Sequence, residues 1–166
     1  MKRKTATRWL KEIAVWGLFA LVISVAVDWY RGQDLPSQTA PPLAGHTQYE
    51  LSADLLSMSH ERPVIVYFWA TWCGACRFVS PTVNWLSQHY SVIGVSLSSG
   101  EDLRVNRYLA AKEYQFANIN DRHGEHARNW QIGVTPTIFI VKNGEIKSVT
   151  TGVTTPIGLL ARLWLS

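Results

Sequence analysis

The sequence predicts an α/β domain, a β-sheet with helices on both of its faces, preceded by one N-terminal transmembrane helix. Three observations predict this architecture. Short apolar runs typical of buried strands alternate with segments of helical character, which is the pattern of a layered α/β domain. Asn143-Gly144 is a strong signal for a two-residue hairpin and makes the last two strand candidates antiparallel. An uncharged run, residues 13–27, lies near the N-terminus.

The N-terminal segment carries the positive charge of the chain. Residues 1–12 have five Lys and Arg side chains against Glu12, a net charge of +4. The remaining residues carry as many acidic as basic side chains. Nucleic-acid binding needs a concentrated cationic face, so the neutral remainder argues against a nucleic-acid partner. We therefore predict a basic cytoplasmic tail over residues 1–12.

The uncharged run that follows has two interpretations. The preferred one is a transmembrane anchor over residues 13–30, because the segment from Trp9 to Trp29 is long enough to span a bilayer and has aromatic residues at both ends. The other is a cleavable signal peptide with Ser24-Val25-Ala26 as its cleavage site. Either one leaves the tail in the cytoplasm and predicts that everything after Tyr30 is exported.

The proline-containing residues 31–45 predict an extended linker, which leads into a folded domain over residues 46–166. At the start of this domain, Thr47–Leu51 is a candidate for a short strand. Ser52 is a candidate N-cap for a short helix that ends near Ser59.

Strand and helix candidates alternate through the rest of the domain. Val64–Trp69 is apolar without alternation, which is typical of a strand buried on both faces. The helix that carries the cysteines contains Pro81, which kinks a helix because it removes a hydrogen bond. Ser99-Gly100-Glu101-Asp102 has the pattern of a capping box at the start of the next helix. Thr155 and Pro156 have the pattern of the start of a closing helix. The helix that carries the cysteines should end near Gln88, and the helix that follows the capping box should end near Tyr114. The remaining candidates are a short helix that ends near Trp130 and strands over residues 92–97, 116–119, 138–141 and 146–151.

The only two cysteines of the sequence, Cys73 and Cys76, directly follow the first buried strand. We expect Cys73 at the junction with a helix N-terminus, whose unpaired N–H groups and positive dipole end stabilise a thiolate. Two cysteines separated by two residues in this setting indicate a redox dithiol, in which one sulfur attacks and the second resolves the mixed disulfide. A purely structural disulfide is the weaker explanation, because so small a loop limits the entropic stabilisation that a cross-link supplies.

Metal binding is another interpretation of the same pair. A zinc site needs two further ligands at suitable spacing, and His123 and His126 lie in a segment that is more simply a solvated helix start. An exposed thiolate pair can bind Cu(I), but both methionines, Met1 and Met58, lie far away in the sequence. We therefore predict no metal site in the dithiol and keep a Cu(I)-binding module as an alternative function.

Three motifs in the same order resemble those of the TlpA-like class of thioredoxin-fold proteins. They are Phe68–Cys76 followed by Pro81, then Val134-Thr135-Pro136-Thr137, then Lys142-Asn143-Gly144-Glu145. Overall likeness is greatest to the membrane-anchored ScsD type of the suppressor-of-copper-sensitivity system. The resemblance extends from about Leu43 to the C-terminus. It implies a thioredoxin fold, which is a central mixed β-sheet flanked by helices.

The resemblance also implies roles for the matching residues. Cys73 would be the exposed nucleophile and Cys76 the more buried resolving cysteine. Pro136 would follow a cis peptide bond and face the disulfide. Thr135 would offer backbone groups to an extended segment of a substrate protein, a mode of pairing that tolerates many sequences. The predicted substrate-binding residues are Trp72, Gly74, Ala75, Thr135 and Pro136.

Two positions depart from the family pattern. Tyr67 stands where thioredoxins carry a buried Asp, and Val79 stands where several reducing TlpA-like proteins carry a Glu. Either carboxylate would take the proton of the resolving thiol and, when ionised, disfavour a nearby thiolate. Without them a thiolate at Cys73 is easier to keep, and a stabilised reduced form makes the pair more oxidising.

The sequence thus predicts an exported, membrane-tethered thiol–disulfide oxidoreductase with a role in copper or oxidative stress tolerance. Its implied substrates are protein thiols and disulfides, and its implied partner for recharging is an electron-carrying redox protein of the membrane. The dithiol carries the electrons, so no cofactor is implied. The implied location is the bacterial inner membrane, with the catalytic domain in the periplasm. The alternatives are a thiol reductase of cytochrome c maturation, a Cu(I)-binding metallochaperone-like module, and a non-catalytic scaffold with a static disulfide.

Overall fold

The structure is a computed structural model, and the chain divides into two compact units, Met1–Gln33 and Asp34–Ser166. It describes residues 39–166 and, in the first unit, five helical residues: Trp9, Glu12, Val15, Trp16 and Phe19. Most of the predicted tail and anchor, and residues 31–38 of the predicted linker, lie outside the described residues. Within the described part of the chain, no helix has both the length and the apolar character that a membrane crossing requires.

Residues 39–166 contain seven strands and five helices. The strands are β1 (Ala44–His46), β2 (Ser52–Asp54), β3 (Val64–Trp69), β4 (Ser91–Leu97), β5 (Ala117–Asp121), β6 (Thr137–Lys142) and β7 (Glu145–Thr151). The helices are α1 (Leu55–Glu61), α2 (Cys76–Leu86), α3 (Asp102–Ala111), α4 (Glu125–Asn129) and α5 (Pro156–Trp164).

Five of the strands form one sheet in the order β5-β4-β3-β6-β7. β3 and β4 are parallel, as are β4 and β5, whereas β6 is antiparallel to both β3 and β7. The sheet is therefore mixed, which confirms the fold predicted for the domain. Asn143 and Gly144 both adopt left-handed backbone conformations in the turn between β6 and β7, as a tight hairpin requires.

The central strand β3 supplies side chains to both sides of the sheet. Its odd-numbered residues lie in one buried cluster, together with side chains of α2, α3 and α5. Its even-numbered residues lie in a second cluster, with side chains of α1 and α4. Both cysteines belong to the first cluster, so the dithiol is built on the face that α2, α3 and α5 cover.

The segment before the sheet differs from the prediction. Thr47–Leu51 does not form a strand but the connection between β1 and β2, which pair with each other. The reason is that Gln48 bonds to the start of the edge strand β5. Its Nε2 donates to the carbonyl of Phe116, the residue before the strand (2.9 Å), and its Oε1 accepts from the N–H of Asn118 in the strand (2.6 Å). These bonds satisfy part of the exposed edge of the sheet.

Residues 39–45, the end of the predicted linker, are part of the folded domain. Leu43 is buried in the core, β1 begins at Ala44, and the N–H of Ala40 donates to the carbonyl of Gly144 (2.9 Å).

Two of the three predicted helix caps are wrong. α1 is capped by Asp54 rather than Ser52, because the Asp54 carboxylate accepts a hydrogen bond from the N–H of Leu56 (3.2 Å). Ser99 does not cap α3, because its hydroxyl bonds to the turn that holds the dithiol. The cap of α5 is confirmed: Thr155 Oγ1 accepts from the N–H of Gly158 (3.1 Å). Pro81 lies inside α2, as predicted.

Candidate active site

The two cysteines lie at the passage from β3 to α2. β3 ends at Trp69 and α2 begins at Cys76, so Cys73 lies in the intervening turn. The N–H of Cys73 donates to the carbonyl of Ala70 (3.2 Å) and holds this turn closed. The predicted junction of strand and helix is therefore present, with Cys76 rather than Cys73 at the first helical position.

The start of α2 donates a hydrogen bond to the first cysteine. The backbone N–H of Cys76 points at Cys73 Sγ, with an N–S distance of 3.1 Å. An N–H in the first turn of a helix has no partner within the helix. A thiolate at Cys73 accepts such a bond with a full negative charge, so this contact and the helix dipole both stabilise the reduced, ionised form.

Cys73 and Cys76 form a disulfide, with an S–S distance of 2.17 Å and 5.3 Å between the Cα atoms. The resemblance implies an exposed Cys73, but the structure buries both residues: Cys73 is 5% exposed and Cys76 is 2% exposed. Cys73 is buried because its side chain packs in the core cluster and its Sγ lies against the loop before β6. Cys73 is still slightly the more exposed of the two.

The loop before β6 faces the disulfide. Cys73 Sγ lies 3.6 Å from the carbonyl oxygen of Thr135, although 62 residues separate them. The Thr135–Pro136 peptide bond is cis, as the resemblance implies. Hydrogen bonds fix the loop on both sides: Thr137 Oγ1 donates to the carbonyl of Val134 (2.8 Å), and the N–H of Gly152 donates to the carbonyl of Pro136 (2.8 Å).

The surface around the disulfide is exposed: its side chains are mostly apolar, but that of Arg77 is charged. Trp72 is 62% exposed, and a Cβ added to Gly74 would have no neighbouring atom within 4 Å. Ala75 is half-buried at the start of α2. Phe78, which the sequence reasoning missed, lies two residues after Cys76 and is 76% exposed. The structure thus brings Thr135 against Cys73 and places the other predicted binding residues around it; their binding role stays a prediction.

A neutral pair of hydroxyl groups lies in the core behind the dithiol. Tyr67 is fully buried, and its hydroxyl lies 2.9 Å from the hydroxyl of Ser80, one helical turn after Cys76. Burial raises the pKa of Tyr67 far above its ordinary value, and the bond to Ser80 only partly offsets this, so the phenol stays neutral. Val79 is also fully buried.

Buried charge lies elsewhere. Among residues 39–166, Asp121 is the only buried charged side chain. Its carboxylate accepts hydrogen bonds from the backbone N–H groups of Glu125 and Ala127, both at 2.8 Å. Its negative charge therefore stabilises the N-terminal turn of α4. No buried carboxylate in this part of the chain is therefore free to act on the dithiol.

The histidines give no sign of a metal centre. Within the described residues, no group of three or more His, Cys, Asp or Glu side chains is arranged to hold a metal ion. His123 is exposed, and the buried Nδ1 of His126 has no hydrogen-bond partner.

Sequence reasoning also missed the loop that follows β4. Ser99 Oγ accepts a hydrogen bond from the N–H of Thr71 (3.0 Å), and the indole N–H of Trp72 donates to the carbonyl of Ser98 (3.2 Å). These partners are 28 and 26 residues apart, and no local pattern in the sequence signals such contacts.

Comparison with known proteins agrees with this geometry. A family model described as thioredoxin matches residues 45–163. The chain is 40% identical over 151 residues to a thioredoxin-like protein of Haemophilus influenzae, which covers 88% of this chain and 87% of that protein. It is 30% identical over 129 residues to the thiol-disulfide oxidoreductase ResA of Geobacillus kaustophilus, which covers 75% of this chain and 71% of that protein.

Solved structures share the fold. The chain is similar to StoA from Bacillus subtilis with a TM-score of 0.65 and 22% identity, over 79% of this chain and 100% of that one. It is also similar to a secreted thiol-disulfide isomerase from Corynebacterium glutamicum, with a TM-score of 0.67 and 18% identity over 74% and 81% of the two chains. At these identities the likeness shows the fold alone.

Proposed function

The chain belongs to the thioredoxin family and is a thioredoxin-like thiol–disulfide oxidoreductase, and from this premise we propose that it is exported and tethered to the inner membrane by its N-terminal segment. In this proposal it exchanges disulfides with several protein partners in the periplasm and contributes to copper or oxidative stress tolerance. The finer likeness to the ScsD type belongs to the same proposal.

The observation that carries the exchange activity in this proposal is the Cys73–Cys76 disulfide beside the Thr135 carbonyl. The sulfur that accepts the Cys76 N–H is also the one that lies 3.6 Å from Thr135. A substrate segment that pairs with the backbone of Thr135 therefore places its own sulfur next to Cys73. This arrangement favours Cys73 as the residue that forms the mixed disulfide.

The exchange has two balanced steps. In the oxidising direction, a partner thiolate attacks Cys73 Sγ, the Cys73–Cys76 bond breaks, and Cys76 leaves with the electron pair. A second partner thiolate then attacks the partner sulfur of the mixed disulfide and releases Cys73 as a thiolate, which the Cys76 N–H stabilises. The partner loses two electrons and the dithiol gains them. The reducing direction is the reverse, and members of this family normally need no cofactor, because the dithiol itself carries the electrons.

The surroundings of Cys76 favour the oxidising direction. The neighbouring Tyr67 and Ser80 are neutral, and the one buried carboxylate in the described residues caps α4. No ionised acid there opposes a thiolate, so the reduced form is stabilised and the pair becomes a better oxidant. The pair must then be reoxidised, and we propose that an electron-carrying redox protein of the membrane does this.

Trapping of the mixed disulfide tests the exchange. In Cys76→Ser the resolving thiol is absent, so we expect dithiothreitol-sensitive adducts between Cys73 and periplasmic proteins. The matched variant Cys73→Ser retains one thiol and should form none. Adducts of equal yield in both variants would contradict the assignment of Cys73.

The reduction potential of the pair then separates the candidate roles. A value near that of a strong oxidant, about −120 mV, supports the proposed oxidase, and a value near that of thioredoxin, about −270 mV, supports a reductase such as one of cytochrome c maturation. Stoichiometric Cu(I) binding without turnover of any disulfide substrate would instead support the metallochaperone-like alternative.

The proposed location has its own test. Protease added to cells stripped of their outer membrane should digest the domain, while the N-terminal segment stays in the membrane fraction. A domain protected from protease, or released into the soluble fraction, would contradict the tether. For the stress role, loss of the protein should sensitise cells to copper, and the wild-type chain but not Cys73→Ser should restore tolerance.

A further inference from the structure

The turn that carries Cys73 is held by a second loop besides that of Thr135. This loop, the serine loop, consists of Ser98, Ser99 and Gly100 and, together with Glu101, connects β4 to α3. The buried Ser99 hydroxyl accepts the N–H of Thr71 and donates to the carbonyl of Leu97, both at 3.0 Å. Its one hydroxyl group thus joins the end of β4 to the residue two positions before Cys73.

The same loop also holds the side chain next to Cys73. The indole N–H of Trp72 donates to the carbonyl of Ser98 at 3.2 Å. Trp72 is mostly exposed, so this bond fixes the direction of a ring that packing alone would leave free. Two consecutive residues before the nucleophile therefore bond to two consecutive residues of the serine loop.

The serine loop is itself tied to the sheet. The N–H of Ser98 donates to the carbonyl of Asp121 (3.0 Å), and Asn120 Nδ2 donates to the carbonyl of Gly100 (2.9 Å). Both partners lie on β5. Ser98 and Gly100 have φ angles of +42° and +94°, values that turn the chain sharply and that the surrounding bonds maintain. The loop is thus a fixed support for the dithiol turn.

We propose that Ser99 is a positioning residue for Cys73. The proposal rests on the exchange activity proposed above and adds a residue to it. Cys73 Sγ must stay in line with the Cys76 N–H at 3.1 Å and beside the Thr135 carbonyl at 3.6 Å. Both contacts depend on where the turn before Cys73 lies, and the Thr71 N–H bond to Ser99 sets that position.

Loss of the Ser99 hydroxyl has a specific expected effect. The Thr71 N–H loses its partner and the turn gains freedom, so the Cys76 N–H bond to Cys73 is populated for less of the time. The thiolate is then less stabilised, and attack by Cys73 is slower because reaction rates depend on how well the reacting atoms are held in place. The fold keeps its other contacts.

Ser99→Ala tests this, with Ser59→Ala as the matched control. Ser59 also carries a buried hydroxyl, on α1, and it accepts from the N–H of Gly144 (3.0 Å) and donates to the carbonyl of Leu56 (2.9 Å). Both variants lose one buried hydroxyl of the same size, but only Ser99 bonds to the dithiol turn. Urea unfolding of the full chain first establishes that each variant is folded.

The reaction measured is that of the reduced chain with glutathione disulfide, in which the dithiol is oxidised to Cys73–Cys76 and two molecules of glutathione are released. We expect Ser99→Ala to react about five- to tenfold more slowly than wild type and its equilibrium to shift at least threefold toward the protein disulfide. Ser59→Ala should stay within twofold of wild type in both. In addition, the Thr71 amide should exchange its hydrogen at least tenfold faster in Ser99→Ala only.

Each other outcome has a definite meaning. Wild-type values for Ser99→Ala, or equal losses in Ser99→Ala and Ser59→Ala, overturn the positioning role while the exchange activity stands. No reaction of the wild-type chain with any disulfide would instead overturn the proposed exchange function. Rapid exchange of the Thr71 amide in the wild-type chain would show that the Ser99 bond is not held, and would also overturn the inference.

Discussion

The hydroxyl pair behind the dithiol gives the sharpest stability prediction. Tyr67→Phe and Ser80→Ala each remove one hydroxyl, and the double variant removes both. The two oxygen atoms are 2.9 Å apart and both side chains are buried. A buried hydroxyl that loses its hydrogen-bond partner has still been taken out of water, and this desolvation penalty destabilises the folded chain. When both hydroxyls are deleted, no unpaired group is left and the penalty is absent.

The surroundings make the two single changes unequal. After Tyr67→Phe, the Ser80 hydroxyl still lies inside α2, where a serine hydroxyl can turn to the backbone carbonyl one turn before it. After Ser80→Ala, the Tyr67 hydroxyl is fully buried without its partner. We expect a loss in unfolding free energy of about 1 kcal/mol for Tyr67→Phe and about 2 kcal/mol for Ser80→Ala. The double variant should lose about 2 kcal/mol rather than the sum, because the two groups are coupled.

Urea unfolding of the oxidised full chain, followed by far-ultraviolet circular dichroism, measures all four proteins under the same redox state. The midpoints should shift with little change in slope, because none of the changes alters the surface exposed on unfolding. Additive losses would refute the reasoning, since they would mean that the two hydroxyls do not interact. A larger loss for Tyr67→Phe than for Ser80→Ala would refute the alternative partner given to Ser80.

Two further predictions concern the same core. Burial raises the pKa of Tyr67 in the folded chain above its ordinary value of 10.0. Below about pH 10 the phenol is neutral in both the folded and the unfolded chain, and the free energy of unfolding does not depend on its titration. Above that pH the unfolded chain ionises first, so the free energy of unfolding falls as pH rises toward the folded-state pKa. Over that pH range the free energy of unfolding of the wild-type chain should fall by about 1.4 kcal/mol per pH unit more than that of Tyr67→Phe. Parallel plots of unfolding free energy against pH for the two proteins would contradict this. Gly94→Ala should destabilise the domain by about 1–3 kcal/mol in urea, because a Cβ there meets the buried ring of Phe116 at 2.7 Å. Gly74→Ala, where a Cβ meets nothing within 4 Å, is its control and should change the midpoint little.

Features that depend on neighbouring residues were predictable from the sequence. Three such features involve only residues within a few positions of each other. They are the cysteine pair at a strand–helix junction, the left-handed turn at Asn143-Gly144 and the cap at Thr155. The buried character of β3 followed from its unbroken apolar run. The expectations for Thr135 and Pro136 came from the family resemblance, and the structure places the Thr135 carbonyl against Cys73.

Two predictions failed because a side chain bonds to a partner that is distant in the sequence. Ser99 has the sequence pattern of a capping residue, but its hydroxyl bonds to the dithiol turn rather than to the start of α3. Thr47–Leu51 has the composition of a strand, but Gln48 bonds to the edge of β5. In both cases a polar side chain had two possible uses, and only the packed chain shows which one is made.

The sequence by itself determined that this chain builds a redox dithiol at the end of a buried strand, because that depends on a short run of residues and their local geometry. Only the tertiary structure decided what surrounds the dithiol: a carbonyl 62 residues away beside Cys73, a hydroxyl 28 residues away holding the preceding turn, and a neutral Tyr67–Ser80 pair behind it. The physical reason is that sheet order and register bring distant segments together, and the short, directional geometry of hydrogen bonds then selects which groups meet.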